Sequence, residues 1–275
     1  MSEMSFRVLG CGSSTGVPSI AGDWGGCDCS NIKNRRRRPS FLVTRKSENG
    51  KCTRVLVDTG PDLREQLLSA RVDWVDGVFY THAHADHTHG INDLRPIAIK
   101  HDTCLSLYMD EKTTSSIRSS FGYCFKNSFQ QSKTEQKYDY PPIASANIIR
   151  SGSVVTVDGS GGSLVVLPYN QVHGGEVSLG FRFGKVAYST DLSYMLDEAM
   201  NALVGLDVLI IGALRWTVHK NHFSVDQALR VIERLTPKRA FLTHMHVDLD
   251  YDSLRRYLPA YVEPAYDDLE FSVQE

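Results

Sequence analysis

Tyr80-Thr81-His82-Ala83-His84-Ala85-Asp86-His87 puts three imidazoles and a carboxylate into six positions at the end of the apolar run Gly77-Val78-Phe79-Tyr80. Neutral imidazole and carboxylate oxygen are good ligands for zinc, and their intermediate softness also suits manganese and iron. The apolar run reads as a buried strand, which would hold the cluster on a loop anchored by the core, the usual setting of a functional site. A solvent-facing loop with incidental histidines is the plain alternative, and it does not account for this density of donors.

Working outward toward the N-terminus, Ser40-Phe41-Leu42-Val43-Thr44 and Arg54-Val55-Leu56-Val57-Asp58 read as strands joined across Ser47-Glu48-Asn49-Gly50 into a hairpin. Pro61 suits the first turn of a helix carrying Leu63, Leu67 and Leu68 on one face. Asp58 thus ends a strand, where a carboxylate either orients a metal-bound histidine from behind or caps the next helix. Strand, helix and strand in this order, followed by the His cluster, imply a layered α/β architecture with chemistry at the strand ends.

The second half repeats the arrangement. Leu164 to Leu167 is apolar and leads to His173; Val186-Ala187-Tyr188-Ser189 leads to Asp191; Leu206 to Ile211 leads toward His219 and His222; Ala240-Phe241-Leu242-Thr243 leads to His244 and His246. Each alone would be a satisfied histidine or a cap, but beside a ligand cluster they become its missing partners. Ser224 and Gln227 form a capping box before the stripe Val225, Ala228, Leu229, Ile232 and Leu235, so His222 lies at a helix N-terminus, a place that favours negative charge. Between the halves, a strand at Leu105 to Met109 and a helix from Asp110 to about Ser120 precede Phe121, Tyr123, Phe125, Phe129, Tyr138 and Tyr140. These aromatics are expected to pack an insertion onto the body, with a lid or a homodimer contact as the alternative use.

Composition bounds the rest. The chain has 275 residues, 41% of them hydrophobic, enough for a sizeable core. Thirty Lys and Arg against 32 Asp and Glu leave a formal charge of -2, so no overall field recruits nucleic acid or an anionic membrane. No stretch approaches the roughly 20 apolar residues of a membrane span, and the N-terminus has no signal-like apolar segment, so a cytoplasmic protein is expected. Six irregularly spaced cysteines fit reduced thiols better than a disulfide framework. Gly10-Cys11-Gly12-Ser13-Ser14-Thr15-Gly16 follows a strand and matches neither standard nucleotide loop. It reads first as a structural turn, while Ser13 and Thr15 offer hydroxyls to a phosphate. Cys27 and Cys29 form half of a zinc site, and Arg35-Arg36-Arg37-Arg38 reads as solvated or structural before it reads as an anion clamp.

His82-x-His84-x-Asp86-His87, then His173, Asp191, His222 and His244, resembles the metallo-β-lactamase superfamily over nearly the whole chain. The glycine-rich turn, Asp93-Leu94-Arg95-Pro96 and Phe121-Gly122-Tyr123 resemble, within it, the branch of the 5-phosphoribosyl 1,2-cyclic phosphate phosphodiesterase of phosphonate breakdown. The resemblance implies an α/β (α+β) fold, a four-layer αββα sandwich formed by one domain over residues 1–275 with an insertion at about 95–147. It implies two divalent ions, zinc or manganese: His82, His84 and His173 on one, Asp86, His87 and His244 on the other, Asp191 bridging, Asp58 behind them, and a bridging hydroxide as nucleophile. His222 would act on the leaving oxygen or the transition state, with Asp86 counted among the catalytic groups and Ser13, Thr15, Arg95 and His219 toward substrate. Members also carry a Cys-x-Cys-x-x-Cys zinc site; here the third place is Ile32, so a structural zinc would need Cys27, Cys29 and His246 or another donor. The expected activity is hydrolysis of a small cyclic phosphate or nucleotide-like phosphodiester. Structured RNA is not expected, because His173 and Asp191 stand too close together to hold the long arm of a transfer-RNA 3′ processing enzyme. The alternatives are an RNA-processing nuclease, a thioester hydrolase, and a non-catalytic carrier resembling the pyrroloquinoline-quinone accessory branch.

Overall fold

A computed structural model describes residues 3–125 and 141–274. The elements run β1 (Glu3–Gly10), β2 (Ser40–Lys46), β3 (Cys52–Val57), α1 (Leu63–Ala70), β4 (Gly77–Phe79), α2 (Ala85–Thr88), α3 (Arg95–Lys100), β5 (Leu105–Met109), α4 (Glu111–Phe121) and β6 (Ala144–Ile148). The second half follows with β7 (Val155–Val157), β8 (Leu164–His173), β9 (Glu176–Phe183), β10 (Val186–Ser189), α5 (Asp197–Ala202), β11 (Val208–Gly212), α6 (Val225–Leu235), β12 (Arg239–Thr243), α7 (Tyr251–Tyr257), β13 (Val262–Pro264) and β14 (Leu269–Gln274).

Two seven-stranded sheets result, ordered β14-β1-β2-β3-β4-β5-β6 and β13-β12-β11-β10-β9-β8-β7. Each has an antiparallel part that turns parallel, at β3/β4 in the first sheet and at β10/β11 in the second. The period-two alternation of the strands sorts their side chains between two cores. Phe41, Val43, Val55 and Val57 face the space between the sheets, while Leu42 and Leu56 turn outward to meet Leu63 and Leu67 of α1. On the second half, α6 buries Val225, Ala228, Ile232 and Leu235 in the same cluster as Leu209 and Ile211, so helices cover both outer faces of an αββα sandwich. Its expected capping box is present, with Gln227 N donating to Ser224 Oγ at 3.3 Å and Ser224 N to Gln227 Oε1 at 2.9 Å. Aromatic pairs join the sheets: Phe41 stacks on Tyr188 at 4.8 Å and Phe79 meets Phe181 edge-on at 5.3 Å, each pair adding about 0.5–1.5 kcal/mol beyond its buried area.

One expectation needs correcting. The segment expected as an insertion is partly woven into the body, since β5 pairs parallel with β4 and β6 with β5, completing the first sheet. Phe121 and Phe125 pack within or against the outer core, and Phe129, Tyr138 and Tyr140 lie outside the described residues. The run Gly77-Val78-Phe79-Tyr80 expected as a strand is one over Gly77–Phe79, and Tyr80 N still donates to Tyr108 O at 2.9 Å before the chain leaves the sheet to present the histidines. No helix among the described residues is long and apolar enough to cross a membrane.

Candidate metal centre

The donors gather where strands of both sheets end. Asp58 directly follows β3, His82 and His84 lie between β4 and α2, and Asp86 and His87 sit on α2. His173 is the last residue of β8, Asp191 follows β10, His222 precedes the Ser224 cap of α6, and His244 follows β12. Asp58, Asp191 and His244 hold left-handed backbone at φ 63°, 52° and 58°. Such a conformation costs a non-glycine residue about 1–2 kcal/mol and persists where the surroundings over-determine it, as at functional sites.

Ligand-capable atoms converge in four overlapping groups: His82, His84 and His173; His82, His87 and Asp191; Asp86, His87 and His244; and His173, Asp191 and His222, with each group's atoms within 4.8 Å of one another. Asp191 faces both sides. Its Oδ2 lies 3.1 Å from His87 Nε2, while its Oδ1 lies 3.1 Å from His244 Nε2, 3.6 Å from His222 Nδ1 and 4.0 Å from His173 Nε2. Asp86 Oδ2 is 3.3 Å from His87 Nε2 and 3.6 Å from His244 Nε2.

The far sides of the His82, His87 and His173 rings are engaged, whereas His244 Nδ1 is buried without a hydrogen-bond partner. His87 Nδ1 bonds Asp58 Oδ2 at 2.7 Å, and Asp58 in turn accepts from Thr81 N at 2.8 Å and Thr81 Oγ1 at 2.9 Å. His173 Nδ1 bonds the Asn221 carbonyl at 2.8 Å, and His82 Nδ1 meets Thr81 Oγ1 at 3.0 Å. Turned the other way, the Nε2 atoms of His82, His87 and His244 are buried without a hydrogen-bond partner. Buried polar atoms are almost always paired, so three orphaned imidazole nitrogens aimed at two carboxylates fit a bound cation.

The electrostatics agree. Burial alone would raise Asp86 and Asp191, yet the neighbouring imidazoles outweigh it, and both carboxyls are held well below the usual range. Burial would lower His87, but Asp86, Asp191 and Asp58 hold its proton well above the ordinary imidazole range. Burial lowers His82 and His173, and burial with His244 alongside pushes His222 down to about 3. Without an ion, a proton on His87 is the local counter-charge; a divalent ion would displace it, as ligand deprotonation on metal binding requires.

Of the residues proposed for substrate, His219 lies beside the cluster, its ring 5.3 Å from that of His222. Ser13 is buried beside the His244 segment, its N bonded to Met245 O at 3.0 Å and its Oγ unpartnered, whereas Thr15 bonds only Gly16 O at 3.2 Å. Arg95 is engaged elsewhere, bonding Pro141 O at 2.9 Å and Asn92 Oδ1 at 3.3 Å and lying over the Tyr123 ring. The structural zinc donors do not converge: Cys27, Cys29 and His246 form no metal-compatible group among the described residues. Cys27 Sγ points to Val247 O at 3.2 Å, Cys29 is exposed, and His246 Nδ1 lies 3.4 Å from Asp248. A cation of another kind occupies that corner. The buried Arg36 guanidinium lies 3.9 Å from Cys27 Sγ and donates to His246 O at 3.3 Å, Leu249 O at 2.6 Å and Asn34 Oδ1 at 3.2 Å, tying together the segments a zinc would have joined. Arg37 pairs with Asp267 and Asp268, and Arg38 with Asp62, so three members of the arginine run are structural. Thr81 and Asn221, which hold the histidines from behind, carry no signal of their own in the sequence.

The sequence pattern of the β-lactamase superfamily domain matches residues 53–245. A solved structure described as a new diphosphatase from the PhnP family is 33% identical, with a TM-score of 0.84 over 99% of this chain and 98% of that one. Human tRNase Z, short form, is 18% identical with a TM-score of 0.63 over 98% and 100% of the two chains. Zn²⁺-bound PqqB from Methylobacterium extorquens is 15% identical with a TM-score of 0.66 over 97% and 99%. Among curated proteins, an octanoyltransferase of Porphyromonas gingivalis is 30% identical over 275 residues, 99% of this chain and 52% of that protein. The chain therefore spans about half the length of that relative. With the family pattern across the donors and a full-length relative in the PhnP family, this chain belongs to the metallo-β-lactamase superfamily, near its PhnP branch, as a metal-dependent hydrolase.

Proposed function

We propose that the protein is a phosphodiesterase acting on a small cyclic phosphate or nucleotide-like phosphodiester at a two-ion centre. The observation that carries this reading is the pair of donor groups His82–His84–His173 and Asp86–His87–His244, with Asp191 placed between them, its carboxylate 4.0 Å from His173 of the first and 3.1 Å from His87 and His244 of the second. In this reading His82, His84 and His173 hold one ion, Asp86, His87 and His244 the other, and Asp191 both. Two divalent ions, zinc or manganese, would supply an acidified water and charge neutralisation at the phosphoryl oxygens. The chain's own part is to orient and exclude: Asp58 fixes the His87 ring, the Asn221 carbonyl fixes His173, and the inter-sheet core closes the floor. His222, partly exposed beside Asp191, is the hydrogen-bond donor for the phosphoryl or leaving oxygen.

A small substrate is favoured by what lies between His173 and Asp191. That interval is consumed by β9, which pairs with β8, and by β10, which pairs with β9, leaving no projecting arm to grip a folded RNA. The PhnP-family relative described as a diphosphatase supports phosphate chemistry. Thioester hydrolysis is the second reading, favoured by one observation, the octanoyltransferase name of a relative only half matched by this chain.

The test is turnover by the zinc- or manganese-loaded protein of bis-p-nitrophenyl phosphate, ribose cyclic phosphates, 2′,3′-cyclic nucleotides, short RNA, lactoylglutathione and an octanoyl thioester. Hydrolysis of the small phosphodiesters is expected to exceed the rest. Turnover confined to thioesters would install the second reading, and no turnover at full metal occupancy would favour a carrier.

A further inference from the structure

Thr81 immediately precedes the His82–His87 motif and is fully buried. Its amide donates to Asp58 Oδ1 at 2.8 Å, and its hydroxyl lies 2.9 Å from Asp58 Oδ2, 3.0 Å from His82 Nδ1 and 3.3 Å from His87 Nδ1. A threonine hydroxyl has one proton to give and lone pairs to receive with. Asp58 can only accept, and a hydroxyl proton given to a carboxylate makes the stronger, charge-assisted bond. The hydroxyl therefore donates to Asp58 Oδ2 and accepts from His82, which must carry its proton on Nδ1. That leaves a bare lone pair on His82 Nε2, the atom that is buried, unpartnered and directed into the donor cluster.

We propose that Thr81 is a positioning residue that sets the tautomer of His82 by relaying the Asp58 carboxylate to it, so that one buried acid orients two ligand imidazoles. Asp58 acts on His87 directly, at 2.7 Å, and on His82 through the Thr81 hydroxyl. No other side chain meets His82 Nδ1 among the described residues. Thr81 is held on Asp58 by two bonds, one from its amide and one from its hydroxyl, and its β-branched side chain has few rotamers to choose among. Its relevance to metal binding rests on the two-ion reading, whereas the tautomer itself does not.

The experiment is nitrogen-15 spectroscopy of the histidine side chains in the metal-free full-length chain at mildly alkaline pH, with zinc affinity measured separately by chelator competition. The wild type is expected to show His82 protonated at Nδ1 and bare at Nε2. Thr81→Val keeps the shape and the amide bond to Asp58 but removes the hydroxyl. It should shift His82 toward the Nε2-protonated form, leave the His87 signals in place, and weaken zinc binding about 10–100-fold, the usual cost of losing a partner behind a ligand. Thr81→Ser restores the hydroxyl and should restore both readouts. Wild-type His82 protonated at Nε2, or a Thr81→Val spectrum unchanged at His82, would overturn the proposal. Should Thr81→Val fail to fold, the wild-type and Thr81→Ser spectra still decide it. The expected tautomers in a wild type that binds no zinc would uphold the relay and overturn the metal reading instead.

Discussion

Acidifying the metal-free protein from pH 6.5 to pH 5 should destabilise it, because the folded site refuses protons that the unfolded chain accepts. His222 is pushed from 6.5 down to about 3 by burial, with His244 alongside. Its contribution is fully present above the unfolded value and is lost as pH falls toward the folded one; from pH 6.5 to pH 5 that loss is about 1.5 kcal/mol. His82 and His173, also lowered by burial, act with the same sign. Asp267 works against them. Burial lifts it to about 6 despite the adjacent Arg37, so the folded state gains a proton there that the unfolded chain lacks, offsetting about 1 kcal/mol over the same window. Asp86 and Asp191, held low, are ionised in both states and contribute nothing here. His87, held high, is protonated in both states below pH 6.5 and loses stability only on the alkaline side. Asp58, raised by burial, acts with Asp267, and His219, lowered by burial, acts with the other histidines; four histidines against two aspartates leave a net loss in acid, and stability should peak near neutrality. Urea unfolding of chelator-treated protein at the two pH values measures it, and His222→Asn should remove about 1.5 kcal/mol of the acid loss. An unfolding free energy that is flat or rising from pH 6.5 to pH 5, or a His222→Asn variant with the full acid loss, would refute the reasoning.

Other perturbations reach the site by different routes. Gly60→Ala would drive a methyl group into the Asp86 carbonyl oxygen and against Arg38, displacing α2; about 1–3 kcal/mol of stability and the ion held by Asp86, His87 and His244 should be lost, as read by urea unfolding and metal analysis. His222→Ala should cut phosphodiester turnover by about 100-fold or more while metal content is retained, and metal loss would instead make His222 a ligand. Zinc at 100 times its Kd should stabilise the chain by about 2.7 kcal/mol per site, reversibly on chelation, in a denaturation assay.

Much of the site was legible because its chemistry is concentrated. Four donors between His82 and His87 cannot be explained as surface decoration, and Asp58, His173, Asp191 and His244 each stand at or just past the end of an apolar strand, which is where an α/β layer exposes side chains. What stayed hidden depends on long-range contacts. The closure of β14 onto β1 joins the two ends of the chain, and nothing local in Leu269–Gln274 announces it. The arginine run could not be assigned from its own residues, because the carboxylates that hold Arg37 and Arg38 are Asp62, Asp267 and Asp268, and the acceptors of Arg36 are mostly backbone carbonyls. The same guanidinium accounts for the missing zinc corner beside Cys27. Thr81 was invisible for a simpler reason: a threonine before a histidine has no meaning until Asp58 is brought beneath both.

Metal analysis of the zinc-reconstituted protein after gel filtration, wild type beside Asp191→Ala, bears most directly on the two-ion centre. About two ions per chain in the wild type and at most about one in Asp191→Ala are predicted. A wild type saturating at one ion or fewer, or an Asp191→Ala variant that keeps two, would contradict it.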